Sequence, residues 1–263
     1  MNNILAAIAG IIIFIFILLF LFRRKKKNRE AVALSAEEQD ILAQHVEFYQ
    51  KLEQAKKKIF EFRVVKFLQR TKLTGVNTVV ETLDKMLIAA GAIIPIFNFD
   101  DWEYLNLREV LLYPDSFSEA FSQAGSERNI GGMVGTGALN HVMILSKIQL
   151  REGFKYEQGN TNTAIHEFVH LVDKTDGAID GLPEFLLNKK YLLPWLSLIQ
   201  QEMEKIRDDK SDIRLYALTN QAEFFAVVSE YFFERPELFA EKHPELYKMM
   251  LKIFRKNEAE KPL

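Results

Sequence analysis

The stretch Thr163-Ala-Ile-His-Glu-Phe-Val-His-Leu-Val-Asp173 carries the strongest indication of fold and function in this chain. Residues four apart lie on one face of an α-helix, so His166 and His170 can bind the same metal ion with Glu167 close by. Helix N-cap candidates precede the stretch at 160–163, and Gly177 is placed to end the helix. The apolar residues predict a buried helix, in which an unpaired pair of imidazoles would be costly. The His-Glu-x-x-His pattern therefore predicts a zinc site.

A catalytic zinc site takes three protein ligands and leaves one position for water, so a third ligand must come from elsewhere. The best carboxylate candidate is Glu223, in Asn220-Gln-Ala-Glu-Phe-Phe-Ala226, on an apolar helix. Asn220 and Glu223 also have the spacing of a capping box, which needs no metal. Asp173 lies on the stripe of the two histidines but far along the helix axis. We expect it to support the site or the helix end.

The remaining histidines are His45, His141 and His243. His45 lies in a charge-rich amphipathic segment and His243 precedes a proline in a polar turn, so both are predicted to be solvated surface residues. His141 is less easily dismissed and stays open as a ligand. If it took the water position, the zinc site would be closed and structural.

These residues resemble the Mlc titration factor A family of bacterial zinc peptidases. The resemblance rests on His166-Glu-Phe-Val-His-Leu-Val-Asp173, Asp180-Gly-Leu-Pro183 and Asn220-Gln-Ala-Glu-Phe-Phe-Ala226, and extends from about Leu68 to about Phe254. The family is similar in turn to the catalytic domain of anthrax lethal factor, through a pattern that here runs from Tyr216 to Ala226. The chain departs from the family at Gln221, where proline is usual. This change removes a helix-starting residue but should not move the ligand.

The resemblance implies that Glu223 is the third ligand of one Zn²⁺ per chain, beside His166 and His170. It also implies that Tyr216 assists at the substrate carbonyl and that Glu167 is the general base for a zinc-activated water that hydrolyses peptide bonds. The implied fold is a helix-rich α+β domain of the zincin-like, gluzincin type, with a small sheet. The family name leaves open a non-enzymatic alternative, a membrane-tethered protein that sequesters a transcriptional repressor, with zinc structural or dispensable.

An uncharged apolar run of nineteen residues, 4–22, predicts a single transmembrane helix, since at about 1.5 Å per residue it would span a bilayer. Six cationic residues follow within 23–29 and none precedes it. By the positive-inside rule, the N-terminus lies outside and the catalytic domain faces the cytoplasm from the inner membrane. A cleaved signal would carry its charges in the reverse order, and the absence of cysteine excludes a lipoprotein anchor, disulfides and cysteine-bound zinc.

The rest of the chain, 30–263, is expected to form one peptidase domain. The whole chain has 34 basic and 36 acidic residues; without the six cations of the anchor, 28 basic residues face 36 acidic ones, a net charge of −8. An acidic domain is a poor nonspecific ligand for nucleic acid, so the expected partners are a peptide or protein substrate and the membrane.

Hydrophobic periodicity, helix-capping residues and glycine positions predict the other elements. Ser35-Ala-Glu-Glu38 is a capping-box start for one amphipathic helix over 35–69. A second helix is predicted over 78–90, ending at Gly91. A strand is predicted at 110–113, and another at 142–150 that is either the sheet edge beside the cleft or a buried central strand. Between them, the glycine-rich segment 124–137 is predicted to be a loop over the cleft. Helices are further expected at 194–207, 220–233 and 236–256.

Overall fold

Helices predominate in this protein, and they pack with one small sheet. The computed structural model describes residues 33–99, 102–118, 130–135, 140–155 and 161–254, and those from Ser35 onward belong to one compact unit. The α+β class predicted from the sequence is confirmed. The helices are α1 (Ala36–His45), α2 (Glu47–Gln50), α3 (Gln54–Arg70), α4 (Thr82–Ile96), α5 (Lys147–Gly153), α6 (Thr163–Asp173), α7 (Leu192–Arg207), α8 (Gln221–Glu234), α9 (Pro236–Lys242) and α10 (Pro244–Phe254); the strands are β1 (Lys72–Gly75), β2 (Glu109–Tyr113), β3 (Gly132–Val134) and β4 (Val142–Ser146); short 3₁₀ helices span Lys174–Asp176, Lys189–Tyr191 and Leu215–Leu218.

The sheet of the described residues has the strand order β1-β2-β4-β3. Strands β1, β2 and β4 run parallel, with Val110 opposite Met143, and β3 pairs antiparallel with β4, with Met133 opposite Ile144. Strand β4 thus has a neighbour on each side, so of the two alternatives the central strand is right. The terminal strand β3 comes from the glycine-rich segment that was predicted to be a loop.

Strand β4 is shorter than the sequence pattern suggested, because a helix begins at Lys147. The Ser146 hydroxyl accepts a hydrogen bond from the Gln149 N–H at 3.2 Å and caps this helix, α5. The prediction of a strand continuing to Leu150 is therefore wrong beyond Ser146. Within this helix Leu150 is buried and Ile148 is 47% exposed, and a short apolar run of this kind does not by itself distinguish a strand from a helix.

The predicted amphipathic helix 35–69 is divided into α1, α2 and α3. Its capping box is present, with Ser35 accepting from the Glu38 N–H and the Glu38 carboxylate accepting from the Ser35 N–H. The chain leaves helical geometry at Val46, which is extended and buried, and again before Gln54. The breaks let buried side chains on all three helices, and Val46 between the first two, contribute to the core: Leu42, Val46, Tyr49, Phe60, Val64 and Phe67.

Helix α4 passes through Gly91, where the sequence suggested an end, and includes Pro95 in its last turn. Gly91 serves packing instead of termination, because a Cβ atom on it would lie 2.6 Å from the Cβ of Ala164 in α6. The missing side chain lets α4 pack closely against the helix that carries the two histidines.

The C-terminal segment predicted as one helix over 236–256 forms two, α9 and α10. The break falls at His243, whose backbone is not helical and which directly precedes Pro244; a proline disfavours helical geometry in the residue before it. His243 is 8% exposed and its Nε2 lies 2.7 Å from Asp212 Oδ1, so the prediction of a solvated surface residue is wrong.

No helix within the described ranges is both long and apolar enough to cross a bilayer. The predicted membrane segment, 4–22, lies outside these ranges.

Candidate metal centre

Helix α6 presents His166 and His170 on one buried face. Asn162 caps the helix, its side chain accepting from the Ile165 N–H at 3.1 Å. The α-helix ends at Asp173, before the predicted Gly177, and the 3₁₀ turn that continues it ends at Gly177. The two histidines are 8% and 7% exposed, and their Nε2 atoms lie 3.1 Å apart. The spacing of four residues therefore directs both nitrogens to one point.

Glu223 reaches the same point from the first turn of α8. The Asn220 side chain caps this helix by accepting from the Glu223 N–H at 2.9 Å. The Glu223 carboxylate extends toward the histidines, with Oε2 at 2.9 Å from His166 Nε2 and 3.6 Å from His170 Nε2. Asn220 thus caps the helix as in a capping box, while the Glu223 carboxylate contacts the two imidazoles and not the N-cap backbone.

The three candidate ligand atoms have the spacing that a tetrahedral ion requires. They all lie within 4.8 Å of one another, with separations of 2.9, 3.1 and 3.6 Å. Three ligands at about 2 Å from a tetrahedral zinc ion would be roughly 3.3 Å apart. Two imidazole nitrogens and a carboxylate are also a donor set that zinc prefers. The residues present therefore fit a divalent metal ion.

The electrostatics of the cluster favour positive charge at its centre. Burial opposes a charge on His166, but its hydrogen bonds to Glu223 and Glu230 outweigh burial and raise its pKa to about 10. Burial likewise opposes ionisation of Glu223, but the two histidines hold the pKa of that carboxyl well below its usual range. A bound cation would supply the positive charge that these carboxylates surround.

Glu167 lies on α6 between the two histidines and is 6% exposed. Burial raises the pKa of this carboxyl, while the charges of His166 and His170 lower it. Strand β3 packs over the side chain at Gly132, where an added Cβ would lie 2.8 Å from Glu167 Oε1. Glu167 is thus held beside the candidate ligands and beneath the terminal strand of the sheet.

Tyr216 lies in the 3₁₀ helix Leu215–Leu218 at the margin of the cluster. Its ring centroid is 5.9 Å from that of His166, and the residue is 52% exposed. Burial of the hydroxyl raises the pKa of Tyr216 to about 12, and the carboxylates of Glu223 and Glu167 add to this effect. The structure therefore brings the phenol next to the three candidate ligands, with its proton retained at neutral pH.

Glu230, for which the sequence predicted no role, contacts the nitrogen of His166 that faces away from Glu223. Its Oε1 lies 2.7 Å from His166 Nδ1 and its side chain is 1% exposed. Glu230 follows Glu223 by seven residues, which places both acids on one face of α8. That spacing was the signal available in the sequence.

Two other residues considered as ligands lie outside the cluster. His141 Nδ1 is 2.8 Å from the Asn106 carbonyl oxygen. Asp173 is fully buried and accepts from the Gly181 N–H at 2.7 Å, which ties the end of α6 to the loop at 180–183. A Cβ on Gly181 would lie 2.3 Å from the Gln221 carbonyl oxygen, so this loop also packs against the start of α8. Asp173 thus supports the site from the helix end.

One protein-family model matches most of this chain. The model for glucose-regulated metallo-peptidase M90 matches residues 20–255, most of the sequence. The chain belongs to this M90 family. The two helices that carry His166, His170 and Glu223 both fall within the matched range.

Curated relatives agree with the M90 assignment and with the resemblance noted from the motifs. The chain is 29% identical to Mlc titration factor A of Salmonella arizonae over 210 residues, 74% of this chain and 82% of that protein. It is 27% identical to Mlc titration factor A of Pectobacterium atrosepticum over 202 residues, 73% of this chain and 76% of the relative. The uncharacterized protein slr2042 of Synechocystis sp. is 28% identical over 236 residues, 82% of each chain.

Proposed function

We propose that this M90 protein is a zinc-dependent peptidase of the gluzincin type, with His166, His170 and Glu223 as the ligands of one zinc ion. The observation that carries the proposal is the convergence of the three ligand atoms within 4.8 Å, with Glu167 buried beside them. Two histidines from one helix and a glutamate from a second helix are the ligand arrangement that His-Glu-x-x-His peptidases use.

Different residues of the chain would take different roles in peptide hydrolysis. Zinc bound here would act as a Lewis acid, lowering the pKa of water to about 7 and polarising a carbonyl. Glu167 would accept the proton of the attacking water and deliver it to the leaving amine. The Tyr216 hydroxyl would donate a hydrogen bond to the carbonyl oxygen as negative charge develops on it.

The sheet supports a peptide as the substrate class. Strand β3 is terminal in the sheet of the described residues and packs on α6 next to Glu167. A terminal strand offers backbone N–H and C=O groups to an extended chain. A peptide paired with β3 would therefore run beside the base and the zinc ligands.

The test combines metal analysis with digestion of a peptide library. We expect one zinc ion per chain in the wild type and in Glu167→Gln. Hydrolysis by the variant should fall by a factor of about 10² to 10⁴, the usual contribution of a general base. Glu204→Gln, on the exposed part of α7, is the control and should behave as wild type. Equal digestion by Glu167→Gln and wild type would reject the mechanism.

We further propose that the run 4–22 anchors the protein in the inner membrane, with the peptidase domain in the cytoplasm. The support is the nineteen-residue apolar run followed by the basic segment 23–29. Because the chain has no cysteine, single cysteines can report topology without background. In intact cells, an impermeant maleimide should label Asn2→Cys, and it should label Asn28→Cys only after the membrane is opened. The reverse pattern would invert the orientation.

A second candidate function is binding of a transcriptional repressor, in place of catalysis or beside it. Its support is the name Mlc titration factor A carried by relatives that match about three quarters of this chain. Sequestration would not require Glu167, since it depends on a surface and not on proton transfer. The test is whether a transcriptional repressor of the Mlc type binds wild type and Glu167→Gln equally. Equal binding, with no peptide hydrolysis by either protein, would favour sequestration over peptidase activity.

A further inference from the structure

Glu230 is a buried carboxylate with three hydrogen-bond donors around it. Its Oε1 lies 2.7 Å from His166 Nδ1 and accepts from Arg214 Nη2 at 2.5 Å, while Oε2 accepts from the Asn162 N–H at 2.6 Å. These donors belong to the helix of the zinc ligands, to its N-cap and to the segment before Tyr216. A carboxylate that is 1% exposed is held at this position only with such partners.

The bond to His166 sets which nitrogen of the imidazole faces the site. With the proton on Nδ1 and directed at Glu230, the Nε2 lone pair points toward Glu223 and His170. The hydrogen bond also holds the ring plane and makes Nε2 a better donor to a metal ion. Within the described part of the chain, His170 Nδ1 has no comparable partner. The pre-orientation of the ligand pair therefore depends on Glu230.

The bond to Arg214 extends the connection to Tyr216. Arg214 precedes the 3₁₀ helix Leu215–Leu218 and its guanidinium meets the same carboxylate oxygen as His166. One oxygen atom of α8 thus joins a ligand on α6 to the segment that carries the phenol. Because the ion pair involves a carboxylate that is almost fully buried, its geometry is restricted.

We propose that Glu230 is a positioning residue that orients His166 for zinc and, through Arg214, holds the Tyr216 segment over the same site. This inference rests on the proposed zinc peptidase. It adds a residue that acts through others and touches neither metal nor substrate.

Glu234 provides a matched control on the same helix. It lies one turn beyond Glu230 and accepts from the Asn162 side chain at 3.0 Å. Burial raises the pKa of Glu234 to about 8, although its bond to Asn162 opposes the shift, so a neutral Gln resembles its form at pH 7. Both acids therefore contact Asn162, but of the two only Glu230 contacts His166.

The experiment measures zinc affinity of the full chain by competition with a chromophoric chelator. We expect Glu230→Gln to raise the zinc Kd about 10- to 100-fold, the usual effect of losing such a partner. Glu234→Gln should stay within about threefold, since the bond to His166 is intact. Equal Kd values for the two variants, or a Glu230→Gln value equal to wild type, would overturn the proposal.

A second pair of variants covers the case in which Glu230→Gln does not fold. In that variant the new amide N–H faces a donor in either orientation, at Arg214 and His166 or at Asn162. Glu230→Asp keeps the charge but withdraws the carboxylate by one methylene, about 1.5 Å. We expect it to weaken zinc binding at least tenfold relative to Glu234→Asp. No difference between these two variants would also overturn the proposal.

The connection from Glu230 through Arg214 to Tyr216 is tested by measuring the zinc Kd and kcat of an Arg214 variant. Arg214→Gln leaves the carboxylate on His166, so the zinc Kd should stay within about threefold while kcat falls as it does in Tyr216→Phe. In the double variant the two losses of kcat should overlap and not multiply. Multiplicative losses would remove Arg214 from the proposal.

Failure of the inference and failure of the proposed function give different results. A wild-type protein that binds zinc but cleaves no peptide rejects the peptidase, and the zinc affinities still test Glu230. A wild-type protein that binds no zinc rejects both.

Discussion

Gly132 of β3 lies directly against Glu167 of α6, so that a Cβ atom on Gly132 would be 2.6 Å from Glu167 Cγ and 2.8 Å from Oε1. Such contacts are closer than real Cβ atoms adopt, so any side chain at 132 must displace the proposed base or the strand. The close approach sets the distance between the terminal strand, where a peptide would pair, and the carboxylate.

We predict that Gly132→Ala lowers kcat by about a hundredfold with zinc content unchanged, because a base displaced by about 1 Å no longer meets the water correctly. The control is Gly131→Ala, whose Cβ would lie 3.0 Å from Cγ of Gln149, a flexible side chain that can move. Steady-state kinetics and metal analysis of both variants make the comparison. Similar kcat values for the two would contradict the role given to Gly132.

Tyr216→Phe is expected to lower kcat by about a hundredfold while zinc stays bound, since one donor to the developing oxyanion is lost. Burial raises the pKa of Tyr216 to about 12, so the hydroxyl keeps its proton well above neutral pH. The pH profiles of wild type and variant should therefore differ in height and not in shape up to about pH 10. Tyr191→Phe, away from the cluster, is the control. A profile whose shape changes in Tyr216→Phe would contradict this role.

We predict that removing zinc destabilises the protein, because the proposed ligands converge only in the folded chain. At a free zinc concentration a thousandfold above Kd, binding adds about 4 kcal/mol to the free energy of unfolding. The rise in Tm on adding zinc should disappear in Glu223→Gln. It should persist in His141→Asn, since His141 Nδ1 contacts the Asn106 carbonyl and lies outside the cluster. Loss of the rise in His141→Asn would show that His141 is a ligand.

Asp212 and His243 predict a pH dependence of stability. Burial opposes ionisation of Asp212, but Lys242, His243 and Tyr231 lower its pKa from 3.8 to about 2. Its contribution is therefore complete above about pH 4 and lost as pH falls toward 2. Burial opposes charge on His243, but Glu202 and Asp212 raise its pKa above 6.5. Its contribution is complete below 6.5 and lost as pH rises through the higher folded value.

Asp212→Asn should therefore lower the free energy of unfolding more at pH 5 than at pH 9, as measured by urea denaturation. Both proteins share the titration of the proposed metal ligands, so that titration cancels in the difference between their free energies of unfolding. The control is Asp208→Asn, whose exposed partner is Lys210. A loss in Asp212→Asn that did not change between pH 5 and pH 9 would contradict the role of His243.

Local chemistry made several features predictable. The Asn162 cap, the buried stripe of α6 and the pair of histidines follow from spacing and side-chain type within one helix. The capping box at Ser35 and the start of α8 at Asn220 are equally local, and both are present. These features need only contacts between residues a few positions apart, which a sequence pattern contains.

Other features depended on partners far away in the chain. Gly91 resembled a helix end, but it is the contact point for Ala164. His243 resembled a surface residue, but its turn is buried against Asp212. A pattern of local polarity cannot reveal such contacts, because burial is decided by which elements pack together.

By itself the sequence determined that two imidazoles share one helical face, because four residues of an α-helix complete about one turn whatever surrounds them. Only the tertiary structure decided that Glu223, 57 residues further on, lies 2.9 Å from His166, that Glu230 contacts the other nitrogen, and that β3 covers Glu167. The physical reason is that distances between separate helices and strands are set by packing of their buried faces, to which residues throughout the chain contribute.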